Sequence, residues 1–413
     1  MEIQDINPWW KSRRLEEEYS KLPSRDLLGE ISPYIEKKQI IAVHGLRRTG
    51  KTTLMHHIIN LLLKTQKPDH IIYYSFDLLD AKVEEILDKA KGLLGIDIKK
   101  DRVFVFLDEI QKHDNWENEL KALYDNYPNI KFFISGSSSL FIEKRTKESL
   151  GGRVFSFVLE PLTFQEYLDI KGIKIKGALF EKEAKEALTH YLRIGGFPEL
   201  VDERDHVKID RYVKELIVDR IVYIDIPAAF EIDEPQLLER ILSIISAVPG
   251  SIVDYESLAD DLSRNRKTIS NYIFYLEKAF LIKKLYNYSK NLLTTEKKSK
   301  RMYPASTAFA YLFNSEEGRI IETGILMNSS FKFFSRQGNK EVDFIKINKI
   351  TLPIEAKYTD NVKDREIKGL LKFLDSHNLK EGVVITKGLD GVKKIDDKEI
   401  RYIPLWKWLL EKS

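Results

Sequence analysis

Lys51, Thr52, Asp108 and Glu109 are the residues of this chain whose types and spacing suit phosphoryl chemistry. The first two close the run Gly45-Leu46-Arg47-Arg48-Thr49-Gly50-Lys51-Thr52, which fits the phosphate-loop pattern G-x-x-x-x-G-K-[ST] without a mismatch. In that pattern Gly45 and Gly50 let backbone N–H groups, including those at Arg48, Thr49 and Thr53, close around phosphate oxygens. Lys51 reaches the β- and γ-phosphates, and the Thr52 hydroxyl is a ligand for Mg²⁺. Asp108 and Glu109 end the apolar stretch Arg102–Leu107. At the carboxyl end of a parallel strand they face the ligand crevice, Asp108 beside the Mg²⁺ shell and Glu109 as general base for an attacking water. The stretch Ile130–Ile134 leads to Ser135-Gly136-Ser137-Ser138, where Ser135 or Ser137 either touches the γ-phosphate or only builds a turn.

A second set lies in the last hundred residues. Glu355 and Lys357 are two apart on an expected strand, so they share one face. Asp343 on the preceding strand meets Glu355 across a hairpin, and Glu322 joins from a helix. Two carboxylates can hold Mg²⁺ that activates water against a phosphodiester, with Lys357 placing the nucleophile. A third set opens the helix Arg266–Leu276. Arg266, Lys267, Thr268, Ser270 and Asn271 suit phosphate and base-edge contacts at the start of a recognition helix. The basic run Lys297-Lys298-Ser299-Lys300-Arg301 adds phosphate contacts. The alternative for this module is packing against protein.

The elements that position these groups are legible in outline. Gln39–Val43 reads as a buried strand before the phosphate loop and Thr53–Leu63 as the helix after it, which aims a helix N-terminus at an anion. Thr163 and Glu166 form a capping box that starts a helix, followed by helical stretches to about Arg220 that read as a lid. Leu237–Ile245, Tyr255–Leu262 and Arg266–Leu276 are expected helices, and Ile282–Tyr288 alternates like a strand: the order of a winged helix-turn-helix. The C-terminal order is helix, three strands, helix, strand. With 413 residues, two to four domains are expected. A formal charge of +3 does not by itself argue for nucleic acid, and the absence of cysteine removes disulfides and thiolate metal sites. No stretch approaches a membrane span and the N-terminus lacks a signal pattern, so a cytoplasmic location is expected.

The runs Gly45–Thr53, Leu107–Gln111, Ser135–Ser138 and Leu150-Gly151-Gly152-Arg153 resemble the archaeal and bacterial ATPases of the AAA+/STAND type. The chain is similar over nearly its whole length to the archaeal ATPases that join such a domain to a winged helix and a nuclease-like C-terminal domain. The resemblance implies an α/β fold: a parallel phosphate-loop sheet (1–158, with 1–38 leading in), a helical lid (159–230), a winged helix (231–300) and a restriction-endonuclease-like α/β domain (301–413). It implies ATP or ADP with Mg²⁺ as cofactors. Arg153 would reach a nucleotide phosphate in cis or across a subunit contact, which makes self-association through the ATPase domain an expectation. Pro198, in Gly195-Gly196-Phe197-Pro198, would pack by the adenine. The set Asp343, Glu355 and Lys357 resembles the D…E-x-K signature of the PD-(D/E)xK nucleases. Two functions follow: an ATP-driven machine that binds DNA and cleaves it with a metal, or a STAND-type switch whose nuclease-like domain only binds partners.

Overall fold

The computed structural model describes residues 2–79, 81–136, 150–175, 180–230, 232–289, 291–347 and 351–411. They form two compact units, 1–160 and 161–413.

The first unit is built on five parallel strands: β1 (Ile40–His44), β2 (Ile71–Ser75), β3 (Val103–Asp108), β4 (Ile130–Gly136) and β5 (Val154–Val158). Their order across the sheet is β2-β3-β4-β1-β5. Helices α1 (Lys51–Leu62), α2 (Val83–Leu94) and α3 (Trp116–Asn126) make the crossovers that parallel pairing demands. Every residue of β1 to β4 is buried, because both faces are covered. Alternate residues feed different cores. Ile72, Val105 and Phe132 pack with α2 and α3, while Ile71, Phe104, Phe106 and Phe133 pack with α1.

The N-terminal segment does more than lead into this sheet. β2 is an edge strand, and its exposed backbone is covered by side chains from that segment. The Asn7 amide donates to the Tyr73 carbonyl at 2.8 Å and accepts from the Tyr73 N–H at 2.7 Å, imitating a further strand. The indoles of Trp9 and Trp10 both donate to the Ile71 carbonyl, at 3.0 and 2.8 Å. Asn7→Ala leaves the buried Tyr73 groups unpaired, so it should cost about 2 kcal/mol of unfolding free energy, read from a urea titration. An unchanged midpoint would mean that the segment is dispensable to the core.

In the second unit, the capping box forms as expected. Thr163 Oγ1 accepts from the Glu166 N–H and Glu166 answers to the Thr163 N–H, starting α4 (Phe164–Lys171). Helix α5 (Glu181–Ile194) ends at Gly195, where φ is 63° and an added Cβ would lie 2.1 Å from Ser306 Oγ. Then come α6 (Pro235–Ala247), β6 (Ser251–Ile252), α7 (Tyr255–Asp261), α8 (Arg266–Lys278), β7 (Ile282–Asn287), β8 (Lys300–Pro304) and α9 (Glu317–Met327). The remainder runs β9 (Phe333–Gln337), β10 (Lys340–Ile347), β11 (Thr351–Lys357), α10 (Lys368–His377), β12 (Glu381–Thr386), β13 (Gly391–Ile395) and β14 (Lys398–Pro404).

The sequence reading places a domain boundary at 300, and the sheet runs straight across it. Its order is β13-β14-β12-β11-β10-β9-β7-β8-β6. β7 pairs in parallel with β9 through Tyr286–Phe333 and Asn287–Phe334, while β8 pairs antiparallel with β7. The hairpin after α8 is thus one edge of the C-terminal sheet rather than a free-standing wing.

Candidate functional site

Phosphate-loop geometry follows from its glycines. Gly45 has φ 152°, and a Cβ there would lie 2.2 Å from the Leu159 carbonyl oxygen. Gly50, at φ 92°, is the last residue before α1, so the helix N-terminus opens on the loop. Arg48 also takes a left-handed conformation, φ 63°. Thr49 is buried and its hydroxyl donates to the Leu46 carbonyl at 2.9 Å. The Arg25 guanidinium ties the loop to the end of the unit, donating to the Thr49 carbonyl at 2.6 Å and the Glu160 carbonyl at 2.8 Å. Lys51, 5% exposed, lays its ammonium on the loop carbonyls of Gly45 and Leu46 at 3.2 and 3.0 Å. Thr53 follows on the first turn of α1, half-buried.

Asp108 is the hub. Its Oδ2 accepts from Thr52 Oγ1 at 2.6 Å and from the Tyr73 hydroxyl at 2.8 Å. Its Oδ1 accepts from Ser135 Oγ and, at 3.2 Å, from the Glu109 N–H. Ser135 therefore orients the Asp108 carboxylate, a role distinct from the phosphate contact or turn that the sequence allows. Ser137 lies outside the described residues. Glu109 adopts φ 52°, a strained backbone for a non-glycine residue, and its carboxylate accepts from Gln111 Nε2. Burial pushes the Glu109 carboxyl above its ordinary range, with Lys51 opposing and Asp108 adding to the shift.

Residues that sequence reasoning missed surround this hub. A cavity of about 360 Å³ is lined by Glu16, Tyr19, Thr52, His56, Asp108 and Glu109 among others. His56 is stacked on Tyr19, ring centroids 4.0 Å apart, and its Nδ1 lies 2.8 Å from the Thr52 carbonyl. Burial holds its imidazole below the ordinary value. Tyr73, at the carboxyl half of β2, is the one member with a readable signal: an aromatic hydroxyl near the edge where parallel strands carry their ligands.

One expectation about this site changes. Arg153 precedes β5, and β5 runs parallel to β1 with Ile40 beside Val154 and His44 beside Val158. Arg153 therefore lies at the sheet edge opposite the phosphate loop, a strand length of roughly 15 Å away. It pairs bidentately with Asp125 at 3.1 Å, and its guanidinium lies over the Tyr124 ring. Within one chain it stands at the opposite strand ends from the phosphate loop. Pro198 belongs to the second unit, where it opens the turn Pro198–Leu200 after the buried Phe197.

The acidic set of the second unit assembles in part. Asp343 and Glu355 stand one step beyond the paired residues Phe344 and Ile354 of β10 and β11. Asp343 Oδ2 accepts from the Ala356 N–H at 3.0 Å. Lys357 pairs with Glu355 Oε1 at 2.8 Å, as residues two apart on a strand should. Glu322 accepts from the buried Tyr303 hydroxyl at 2.9 Å. Burial and the nearby Asp343 push Glu322 up to about 7 and Glu355 up to about 8. Glu355 Oε2 is buried without a hydrogen-bond partner. Among the described residues no three His, Cys, Asp or Glu side chains lie close enough together to hold a metal ion, so the three-carboxylate site expected of Glu322, Asp343 and Glu355 is not assembled.

Arg301 explains part of this. The sequence reading assigns it to a basic run for phosphate contacts, whereas it is 6% exposed. Its Nη1 meets Asp343 Oδ1 at 3.1 Å and its Nη2 meets Glu341 Oε2 at 2.6 Å. The other basic set is placed as expected: Arg266, Lys267, Ser270 and Asn271 are exposed and Thr268 half-buried on the first turns of α8. The Asn265 side chain caps that helix by accepting from the Thr268 N–H at 2.8 Å.

A family profile described as an AAA domain matches residues 37–168. Profiles described as domains of unknown function, DUF8612 and DUF4143, match 185–315 and 319–408. The uncharacterized protein MJ1544 of Methanocaldococcus jannaschii is 31% identical, over 95% of this chain and 92% of its own length. An uncharacterized protein of Haemophilus influenzae is 24% identical over 92% of this chain and 96% of that one. Among solved structures, the Walker-type ATPase PABY2304 of Pyrococcus abyssi matches with TM-score 0.40 and 15% identity, over 72% of this chain and 95% of that one. The fold assignment rests instead on the parallel order β2-β3-β4-β1-β5 around a phosphate loop and on the AAA-domain match. With identity to MJ1544 running along nearly its whole length, the chain belongs to the same family of AAA-domain, phosphate-loop ATPases.

Proposed function

We propose that this chain is a Mg²⁺-dependent ATP hydrolase whose nucleotide cycle sets how its second unit engages DNA. The observation that carries the first half is the Thr52–Asp108 hydrogen bond of 2.6 Å, with Glu109 next in sequence and Lys51 behind it. These residues fit a magnesium nucleotide. Thr52 and Asp108 offer hard oxygens to the ion, and Gly50, at φ 92°, opens the N-terminus of α1 toward phosphate oxygens. The bound ion would neutralise charge on the phosphates. Lys51 would bind and orient the β- and γ-phosphates, Glu109 would take a proton from the attacking water, and Ser135 and Tyr73 would hold Asp108 in place. Pro198 beside the adenine belongs to this reading and rests on the family resemblance.

For the second half, α6, α7 and α8 followed by the antiparallel β7–β8 pair support a winged helix with α8 as its recognition helix. The exposed Arg266 and Lys267 support phosphate contact. ATP turnover measured with and without duplex and single-stranded DNA tests the coupling; DNA that neither binds nor changes turnover removes it. Arg266→Ala with Lys267→Ala should weaken DNA binding across sequences and reduce the slope of log K against log salt by about 2. No described helix is long and apolar enough to cross a membrane.

A specific observation favours a second reading for the C-terminal part. The strands carrying Asp343, Glu355 and Lys357, with Glu322 on α9, support a nuclease-like fold, but Glu322, Asp343 and Glu355 do not come together as a three-carboxylate metal site. A STAND-type switch whose nuclease-like part binds without cutting accounts for that better than a working nuclease.

A further inference from the structure

We propose that the Arg301 guanidinium occupies the position of a divalent cation in the acidic cluster of the second unit, as a cation tethered to the chain that keeps a metal out. This rests on the nuclease-like reading of β10 and β11, and not on the ATPase.

Each carboxylate of the cluster is already engaged by a donor of the chain. Asp343 gives Oδ1 to Arg301 and Oδ2 to the Ala356 N–H. Glu355 gives Oε1 to Lys357. Glu322 gives Oε2 to Tyr303. Glu355 Oε2 is left buried without a partner, and an ion held there would have to take most of its shell from water. Two further contacts fix the guanidinium. Nη2 binds Glu341, which is itself paired with Arg336 at 3.1 Å, and the flat face of Arg301 lies over the Phe334 ring, 4.9 Å to its centroid. A planar fork on two carboxylates from one strand, stacked on an aromatic ring, is a built position. A divalent ion beside Asp343 would face both this charge and that of Lys357. The cluster is neutralised twice from within the protein.

The position also has a topological cause. Arg301 lies on β8, paired with Leu285 of β7 and Ile252 of β6, and β7 is joined to β9. The hairpin that follows α8 is thereby built into the C-terminal sheet, and its second strand, which straddles the expected boundary at 300–301, brings Arg301 to the face of β10. A cavity of about 480 Å³ opens on this face, lined by Arg301, Arg319, Arg336, Glu322, Glu341 and Asp343. The consequence is a pocket whose charge does not depend on a metal.

Mn²⁺ binding to the full-length, nucleotide-free chain tests this, read as loss of the free-ion signal in electron paramagnetic resonance. Wild type should show no site that Asp343→Asn removes. Arg301→Met should gain a site about tenfold or more tighter than any in wild type, and adding Asp343→Asn should abolish it. A wild-type Mn²⁺ site lost in either Asp343→Asn or Glu355→Gln overturns the proposal. So does a folded Arg301→Met chain, verified by circular dichroism, that gains no site. If Arg301→Met does not fold, the wild-type comparison with Asp343→Asn and Glu355→Gln decides alone.

Discussion

Lys51→Ala should lower kcat/KM for ATP by about 10³-fold, the upper range for losing one preorganised charge donor in a closed site. Lys51 is almost fully buried at the first position of α1, and its Nζ rests on the carbonyls of Gly45 and Leu46. The charge is therefore already desolvated and aimed at the loop interior, where phosphate oxygens would take over from those carbonyls. Alanine removes the charge and leaves the carbonyls pointing inward, so an anion meets oxygen instead of nitrogen. Both KM and kcat should suffer, because the same ammonium binds the ground state and the charge that grows during transfer. Lys51→Arg should be no rescue, since a planar fork does not fit where a point charge sits between two carbonyls. Steady-state kinetics with a fluorescent-nucleotide titration separates the two losses. Turnover within a fewfold of wild type in the alanine variant would remove the ATPase assignment.

What could be read from sequence and what could not divide along a physical line. The phosphate loop, Asp108-Glu109 and the Thr163–Glu166 capping box depend on contacts within a few residues or on one strand–loop–helix step, and their spacing is the chemistry. The same holds for Glu355 and Lys357, two apart on β11. Asn7, Trp9 and Trp10 were not legible in that way. Their partners on β2 lie 61–66 residues on, and nothing local marks a side chain as a substitute strand. Arg153 misleads because a resemblance carries residue order but not which edge of the sheet a residue occupies. Arg301 misleads for the opposite reason. It ends a run of lysines that reads as surface charge, yet strand alternation turns it inward to carboxylates 40 and 42 residues away. Buried charges are set by distant partners, so a basic run shows its composition and hides which member is the structural one.

Glu109→Gln should lower kcat by 10²- to 10⁴-fold while ATP binding stays near wild type, the span that a positioned general base contributes. Glutamine keeps the volume and can still meet Gln111, so the left-handed turn at Glu109 and the Asp108 network have no reason to move. What it cannot do is accept a proton from water. The environment of Glu109 makes the pH profile informative. Burial raises its carboxyl above the ordinary range and Lys51 opposes that rise. Below its raised pKa the group is protonated and cannot serve as base, so wild-type kcat/KM should climb with pH along an acid limb above that of a free carboxylate. The residual rate of Glu109→Gln should lack this limb. The limb also separates base from metal ligand. Asp108→Asn should damage turnover through Mg²⁺ dependence, shifting activity toward higher metal concentrations, whereas Glu109→Gln should leave the metal requirement unchanged. A Glu109→Gln enzyme that keeps both its rate and its acid limb would place the base elsewhere, and the strained φ of 52° at Glu109 would then need a structural explanation.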